Sequence, residues 1–284
     1  MVHGKMAVIA DDEKQKELAP LVRKGEDIFG TALFVPYGKI RIETGRGIRV
    51  VYEGEELTQY DAVFPFPSSM GDVALPMIAA FDSSIAYIPY GMDAYLSFQR
   101  KALGMKILSH GGFSCIDVHH ALTEEALTDA IPTMPFPVRV RIGDKSLVID
   151  DRKHLSALMK LRESGQAILI EEATADKLTG CFVAGNEALA SVDIINGKMR
   201  AANVGSVIKD IAVSAVRNLG SSYGFVTFAG DKIVSFSLSP LIASIEVASG
   251  KDICTPLLNT AKNARPARKL GILRAIMGAI GVRK

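Results

Sequence analysis

Five charged side chains in the middle of the chain have the types and spacing to bind an anion or to form ion pairs. Arg139 and Arg141 are two residues apart in an apolar run, so a strand would place both on one face, towards an anion or an acidic neighbour. Glu171 and Glu172 end another apolar run and could accept hydrogen bonds from a ligand or remain solvated. Lys101 could contact a phosphate or face solvent on a helix.

Residues 231–240, Asp-Lys-Ile-Val-Ser-Phe-Ser-Leu-Ser-Pro, form a second stretch with polar groups at strand spacing. Alternation predicts Ser235 and Ser237 on one face with Ile233, and Phe236 and Leu238 on the other. Neutral hydroxyls alone hold magnesium poorly, because this ion prefers carboxylate oxygens. The strand therefore predicts a polar face without a strong metal site.

The composition is that of a globular protein with a sizeable core. The 284 residues are 48% apolar and 23% charged, which is enough for two or three subdomains. The three cysteines are far apart and lack metal or disulfide spacing, which favours a reducing compartment. His119 and His120 would point to opposite faces of a strand and could not chelate as a pair. No signal-peptide pattern or long apolar run is visible, so we expect a cytoplasmic protein.

The basic charge is concentrated at the carboxyl end. Residues 251–284 carry eight Lys/Arg and one Asp; since the whole chain carries +2 and this segment +7, the first 250 residues carry −5. From Leu270 to Ile280, apolar residues recur at helical spacing beside cations. This tail could pack on its own body, dock on a protein partner or a second copy, or bind a membrane or nucleic acid. The first two are favoured, since the tail has no aromatic residue to stack on bases.

The order of elements predicts an α/β protein. A βα start and short strands predict an α/β domain over residues 1–88, and hairpins predict a two-lobed α+β body over residues 89–250. The lobes are expected at about 89–165 and 166–250, followed by the basic tail. Within the body, we expect one helix from about Tyr95 to His110, a strand from Cys115 and a helix capped by Thr123.

Several of these segments, in this order, resemble the RimK-like branch of the ATP-grasp ligases over roughly residues 5–248. These segments are Asp61-Ala-Val-Phe-Pro, Lys101-Ala-Leu-Gly-Met-Lys-Ile-Leu-Ser-His-Gly-Gly-Phe, Pro137-Val-Arg-Val-Arg, Ala167-Ile-Leu-Ile-Glu-Glu and Ser237-Leu-Ser-Pro. Such ligases phosphorylate a carboxylate with ATP and let an amine attack the acylphosphate. The resemblance implies an ATP-grasp-like fold, with an N-terminal domain preceding a two-lobed ATP-grasp body.

The resemblance also implies positions for a nucleotide and a substrate. Lys101 matches an ATP-contacting lysine, and Arg141 replaces the second such lysine. Glu171 and Glu172 match the hinge strand that passes the adenine, so ATP or ADP is the nucleotide to test. The loop containing Ser68, Ser69 and Gly71 lies where such enzymes receive substrate.

The residues needed for the family's chemistry are replaced. The family's metal-binding acids and asparagine correspond to Val226, Ser235 and Ser237 here, all expected on one face, which argues against magnesium. An arginine near Gly180 is missing, and the segment after Gly143 is too short for a glycine-rich lid. The resemblance is therefore to a degenerate member of the family.

Three functions follow from this pattern. The first is a catalytically impaired ATP-grasp protein that acts as a binding or scaffold subunit and associates with itself or a partner through the tail. The second is an active ATP-dependent carboxylate–amine ligase with relocated metal ligands, using Lys101 with Asp210, Asp231, Glu171 or Glu172. The third is a sensor that binds a nucleotide or peptide without turning it over.

Overall fold

A computed structural model describes most of the chain as helices and sheets. The described residues are 4–45, 47–67, 71–123, 125–127, 130–142, 145–161, 167–174 and 177–264. The helices are α1 (Gln15–Phe29), α2 (Gly71–Asp82), α3 (Met92–Gln99), α4 (Lys101–His110), α5 (Arg152–Leu161), α6 (Ser206–Asn218), α7 (Ile242–Ser249) and α8 (Cys254–Asn263). The strands are β1 (Gly4–Ala10), β2 (Gly30–Pro36), β3 (Arg41–Thr44), β4 (Ile48–Tyr52), β5 (Glu55–Glu56), β6 (Ala62–Pro65), β7 (Val118–Ala121), β8 (Val138–Ile142), β9 (Lys145–Ile149), β10 (Ile168–Glu172), β11 (Lys177–Ala184), β12 (Glu187–Ile195), β13 (Lys198–Ala201), β14 (Tyr223–Ala229) and β15 (Lys232–Ser237).

The N-terminal part is built on a parallel sheet in the order β2-β1-β6. The central strand β1 is apolar from Met6 to Ala10, and all five residues are fully buried. Such a continuous apolar run is typical of a parallel strand covered on both faces. Strands β3, β4 and β5 form a separate antiparallel sheet beside it. The expected βα start is present.

The rest of the chain forms two antiparallel sheets. A four-stranded sheet has the order β7-β10-β8-β9, and a five-stranded sheet has the order β13-β12-β11-β14-β15. The five-stranded sheet shares a hydrophobic core with the N-terminal sheet, whereas the four-stranded sheet packs α5 against a separate core. Strand β10 belongs to the four-stranded sheet, although the expected lobe boundary near residue 165 would assign it to the second lobe.

Three local expectations differ from the structure. The helix expected from Tyr95 to His110 is two helices, because Arg100 leaves the helical region at φ −119°, ψ 83°. The strand expected from Cys115 begins at Val118, and Cys115 makes only an isolated bridge with Ile233. Thr123 does accept a hydrogen bond from the backbone N–H of Ala126, but a single 3-10 turn follows instead of an α-helix.

The amphipathic part of the tail, residues 265–284, lies outside the described residues. Within the described part of the chain, no helix is both long and apolar enough to cross a membrane.

Candidate functional site

A buried carboxylate surrounded by three cations lies on the four-stranded sheet. Strands β8 and β10 are antiparallel neighbours, and their register pairs Arg139 directly with Glu171. Because side chains alternate along a strand, Arg141 lies on the same face as Arg139, as the sequence predicts. Lys101, the first residue of α4, reaches the same carboxylate. Two strands and one helix terminus therefore bring four charged groups together.

The distances make this an ion-pair cluster. The Nζ of Lys101 donates to Oε2 of Glu171, and a terminal guanidinium nitrogen of Arg141 donates to Oε1 at 3.0 Å. Arg139 lies 3.7 Å from Oε1. The Glu171 side chain is only 1% exposed, whereas Lys101 is 17%, Arg139 28% and Arg141 46% exposed. The carboxylate is therefore enclosed, and the arginines remain accessible from outside.

The sequence allowed Lys101 either to contact an anion or to face solvent on a helix. In the structure it does not face solvent. Burial lowers the pKa of its ammonium group, and the guanidinium groups of Arg141 and Arg139 act in the same direction. The Glu171 carboxylate opposes this shift but does not cancel it. The lowered pKa therefore reflects mainly the removal of the ammonium group from water, with smaller contributions from the neighbouring guanidinium groups.

The surplus charge defines the chemistry of the cluster. Three cations surround one carboxylate, so the four groups together carry about +2. Arginine and lysine bind phosphate oxygens through charge-assisted hydrogen bonds, and the exposed Arg141 presents a planar donor group. The cluster therefore has the charge and the donor groups that suit an anion such as phosphate.

Glu172 has a different environment from Glu171. It follows Glu171 on β10, so its side chain lies on the opposite face of the sheet. Both of its carboxylate oxygens accept hydrogen bonds from Nζ of Lys232, at 3.1 and 3.0 Å. These hydrogen bonds raise the pKa of Lys232. Sequence reasoning did not find Lys232, because only the fold brings β15 next to β10.

Strand pairing changes the expected metal face of β14 and β15. Ser235 pairs with Thr227 across the hairpin, and Val226 pairs with Phe236. Cross-strand partners share a face, so Val226 lies on the face opposite Ser235 and Ser237. The expectation that these three residues look the same way is wrong. Val226 is also fully buried.

Thr227 and Phe225 share the polar face with the two serines, because Thr227 pairs with Ser235 and Phe225 pairs with Ser237. The register shifts at a bulge between Thr227 and Phe228, and beyond it Ile233 pairs with Phe228. Ile233 therefore does not share the face of Ser235, contrary to the simple alternation. The polar face carries the hydroxyls of Thr227, Ser235 and Ser237 together with the ring of Phe225.

The described residues do not offer a set of ligands that suits magnesium. Among them, no three His, Cys, Asp or Glu side chains approach one another closely enough to hold a metal ion. The three hydroxyls of the polar face are neutral and are poor partners for a hard divalent cation. A metal on the polar face would lack carboxylate ligands, whereas a phosphate near Arg141 would meet cations.

The expected substrate loop is only partly described. Ser68 and Ser69 lie outside the described residues, and Gly71 is the first residue of α2. Residues 143 and 144, which follow β8 in the sequence, are also outside them. Near Gly180, where an arginine was expected, the ring of Phe225 covers the strand: a Cβ on this glycine would lie 2.0 Å from the ring.

Several solved structures with the same fold are ATP-grasp proteins. The ATP-grasp ligase PsnB in complex with a minimal precursor aligns with a TM-score of 0.70 and 14% identity over 92% of this chain and 99% of that chain. The D-alanine-D-alanine ligase from Coxiella burnetii aligns with a TM-score of 0.71 and 14% identity over the full length of both chains. A RimK domain ATP-grasp protein from Sphaerobacter thermophilus DSM 20745 aligns with a TM-score of 0.71 and 14% identity over 91% of this chain and all of that chain. The chain has the fold of ATP-grasp ligases, as expected.

Sequence comparison adds less. No protein-family model matches the chain. The tRNA(Met) cytidine acetyltransferase TmcA of Haloarcula marismortui is 28% identical over 130 residues, which are 40% of this chain and 16% of that protein. The chain thus spans about a sixth of the length of this curated relative. Because one fold supports many activities, the function has to be argued from the residues of the site.

Proposed function

We propose that this chain is a catalytically impaired ATP-grasp protein that acts as a binding subunit. It holds a nucleotide or related polyphosphate through Lys101, Arg139 and Arg141, without a divalent metal. The observation that carries this proposal is the cluster around Glu171, in which three cations surround one buried carboxylate. As a binding subunit, the protein would join a second copy or a protein partner.

The charge balance supports binding and opposes ligation. Phosphoryl transfer from ATP requires metal ions that bridge the phosphates and neutralise developing charge, and carboxylates usually hold those ions. Here the polar face of β14 and β15 presents Thr227, Ser235 and Ser237. The cations near Glu171 could neutralise phosphate in the ground state. They do not supply a bridging metal.

An active ligase with relocated metal ligands would need carboxylates that share one metal ion. The four candidate carboxylates are either paired with cations or belong to no such group among the described residues. Glu171 is held by three cations, and Glu172 by Lys232. Asp210 on α6 and Asp231 in the β14–β15 turn are exposed and belong to no group of metal ligands among the described residues. No observation on these acids favours the active ligase over the binding subunit.

Calorimetric titration of ATP into the full chain tests where the nucleotide binds. Arg141→Gln removes the most exposed cation of the cluster, and we expect roughly tenfold weaker binding because a charge-assisted phosphate contact is lost. Arg200→Gln is the matched control, since Arg200 is an exposed arginine on β13. Equal affinities for the two variants would place the nucleotide elsewhere and contradict the proposal.

A turnover assay separates the binding subunit from an active ligase. The full chain is incubated with magnesium, ATP and a mixture of amino acids, and ADP is measured. We expect ADP at the level of the protein-free control. Amino-acid-dependent ADP release that is lost in Lys101→Met would show a competent ligase, and the proposal would be abandoned.

A further inference from the structure

A cavity lies apart from the cation cluster. It has a volume of about 870 Å³ and lies at the edge of the parallel sheet where β1 and β6 begin. The expected substrate loop follows the opposite, carboxyl-terminal end of β6. None of the residues lining the cavity belongs to the cluster around Glu171. The cavity is therefore a separate feature that the proposed nucleotide site does not use.

The wall of the cavity is largely apolar and has an exposed aliphatic side chain. Phe29, Phe81, Tyr87 and Ile88 contribute to it, and Ile85 is 67% exposed. Large aliphatic residues that line a concave surface are typical of a site covered by another segment. The volume lies within the range of natural binding cavities.

The described chain ends at this cavity. Helix α8 ends at Asn263, and Ala261, Lys262 and Ala264 all line the cavity. Nζ of Lys262 donates to the backbone carbonyl of Ile28 at 2.9 Å, which fixes the end of α8 against α1. The last described residue, Ala264, therefore lies at the cavity wall.

The 20 residues that follow have the sequence of an amphipathic segment. Leu270, Leu273, Met277 and Ile280 recur at helical spacing, and residues 265–284 contain six Lys/Arg and no acid. As a helix, 20 residues would extend about 30 Å. Three glycines lower the helix propensity of this segment, so we expect its helix to depend on contact with an apolar surface.

We propose that residues 265–284 dock into this cavity of their own chain, with the apolar stripe against the exposed Ile85 and the half-buried Tyr87. A segment tethered at Ala264 is present at a high effective concentration, which favours it over the tail of a second copy. The charged residues lining the cavity are two acids, Asp61 and Asp82, and two bases, Arg217 and Lys262. These charges balance, so apolar contact selects the docked face of the segment.

Hydrogen–deuterium exchange on the full chain tests this docking. In the natural sequence we expect protected amides over residues 270–281, independent of protein concentration. Ile85→Arg places a cation against the apolar stripe, and protection there should fall about tenfold or more, the equivalent of losing one buried aliphatic contact. Val247→Arg is the matched control, because Val247 on α7 is 86% exposed and does not line the cavity.

A variant in the tail keeps the test valid if Ile85→Arg disturbs folding. Met277→Glu changes only the tail, and we expect faster exchange over residues 84–90 as the cavity wall is uncovered. Unprotected tail amides in the natural sequence, or equal protection in the Ile85 and Val247 variants, would overturn the proposal. Protection that appears only as the protein concentration rises would show docking on a second copy and would also overturn it.

Discussion

Replacement of Glu171 by glutamine tests the cation cluster through both stability and binding. Removing one member of a buried ion pair costs about 3–5 kcal/mol, because the remaining charge is left without compensation. The cations here are unequally buried: Lys101 is 17% exposed, while Arg139 and Arg141 are 28% and 46% exposed and keep part of their hydration. We therefore expect Glu171→Gln to lower the free energy of unfolding by about 3 kcal/mol, the lower end of that range.

The same substitution should strengthen polyphosphate binding. With the carboxylate neutralised, the charge of the cluster rises from about +2 to +3, and the repulsion between Glu171 and the incoming phosphates is lost. An interaction of 1–2 kcal/mol is reasonable for a partly exposed charge several ångströms away, so we expect about tenfold tighter binding of tripolyphosphate. If Glu171 were instead a direct nucleotide contact, its removal would weaken ATP binding.

Urea unfolding and calorimetric titration measure these two effects. Glu172→Gln is the control, because it removes the neighbouring carboxylate from an ion pair with Lys232, whose side chains are 26% and 44% exposed. That pair should contribute under about 1 kcal/mol. A Glu171→Gln variant as stable as the Glu172→Gln control, or one that binds tripolyphosphate less tightly than the natural chain, would refute the reasoning.

Three further experiments test substitutions in or near the five-stranded sheet. Gly180→Ala drives a methyl group into an aromatic ring on the neighbouring strand and should cost about 1–3 kcal/mol in urea unfolding, whereas Gly205→Ala, with open space around its Cβ, should change stability by under about 0.5 kcal/mol. The hydrogen bond from Lys177 lowers the pKa of Asp193 below its ordinary 3.8. The ionised Asp193 therefore stabilises the fold above about pH 4, and this stabilisation is lost as the pH falls through the lowered pKa. Asp193→Asn should be less stable than the natural chain at pH 7, and the two should become equally stable in strong acid. Thr227→Asp combined with Ser235→Glu places two carboxylates on one face, and ATP should then bind this variant more tightly with magnesium than without it, as measured by calorimetry. An ATP affinity that magnesium leaves unchanged would show that Thr227 does not lie near the phosphates.

Local patterns predicted most of the secondary structure and one part of the site. The apolar run of β1 and the hairpin spacing of β8 and β9 are visible in the sequence because each depends on near neighbours. The two-residue spacing of Arg139 and Arg141 also predicted their shared face. The partner of these arginines was left open, since an anion and an acidic side chain both fit the pattern.

The remaining features depend on contacts between distant segments. Glu171 is enclosed because β8 pairs with β10 and α4 begins beside them, which no local pattern encodes. The bulge after Thr227 changes the face of β15, and only pairing with β14 reveals it. Alternation counted along a single strand misassigns Val226 for this reason.

The central claim is that the nucleotide is held by side-chain cations and not by a magnesium ion. The most direct test is the ratio of the ATP dissociation constants of the full chain, measured by calorimetry with excess magnesium and with excess EDTA at equal ionic strength. We predict that the two constants agree within about threefold, since the described residues include no set of carboxylates that could hold a metal ion. Binding that is tenfold or more tighter with magnesium would contradict the account.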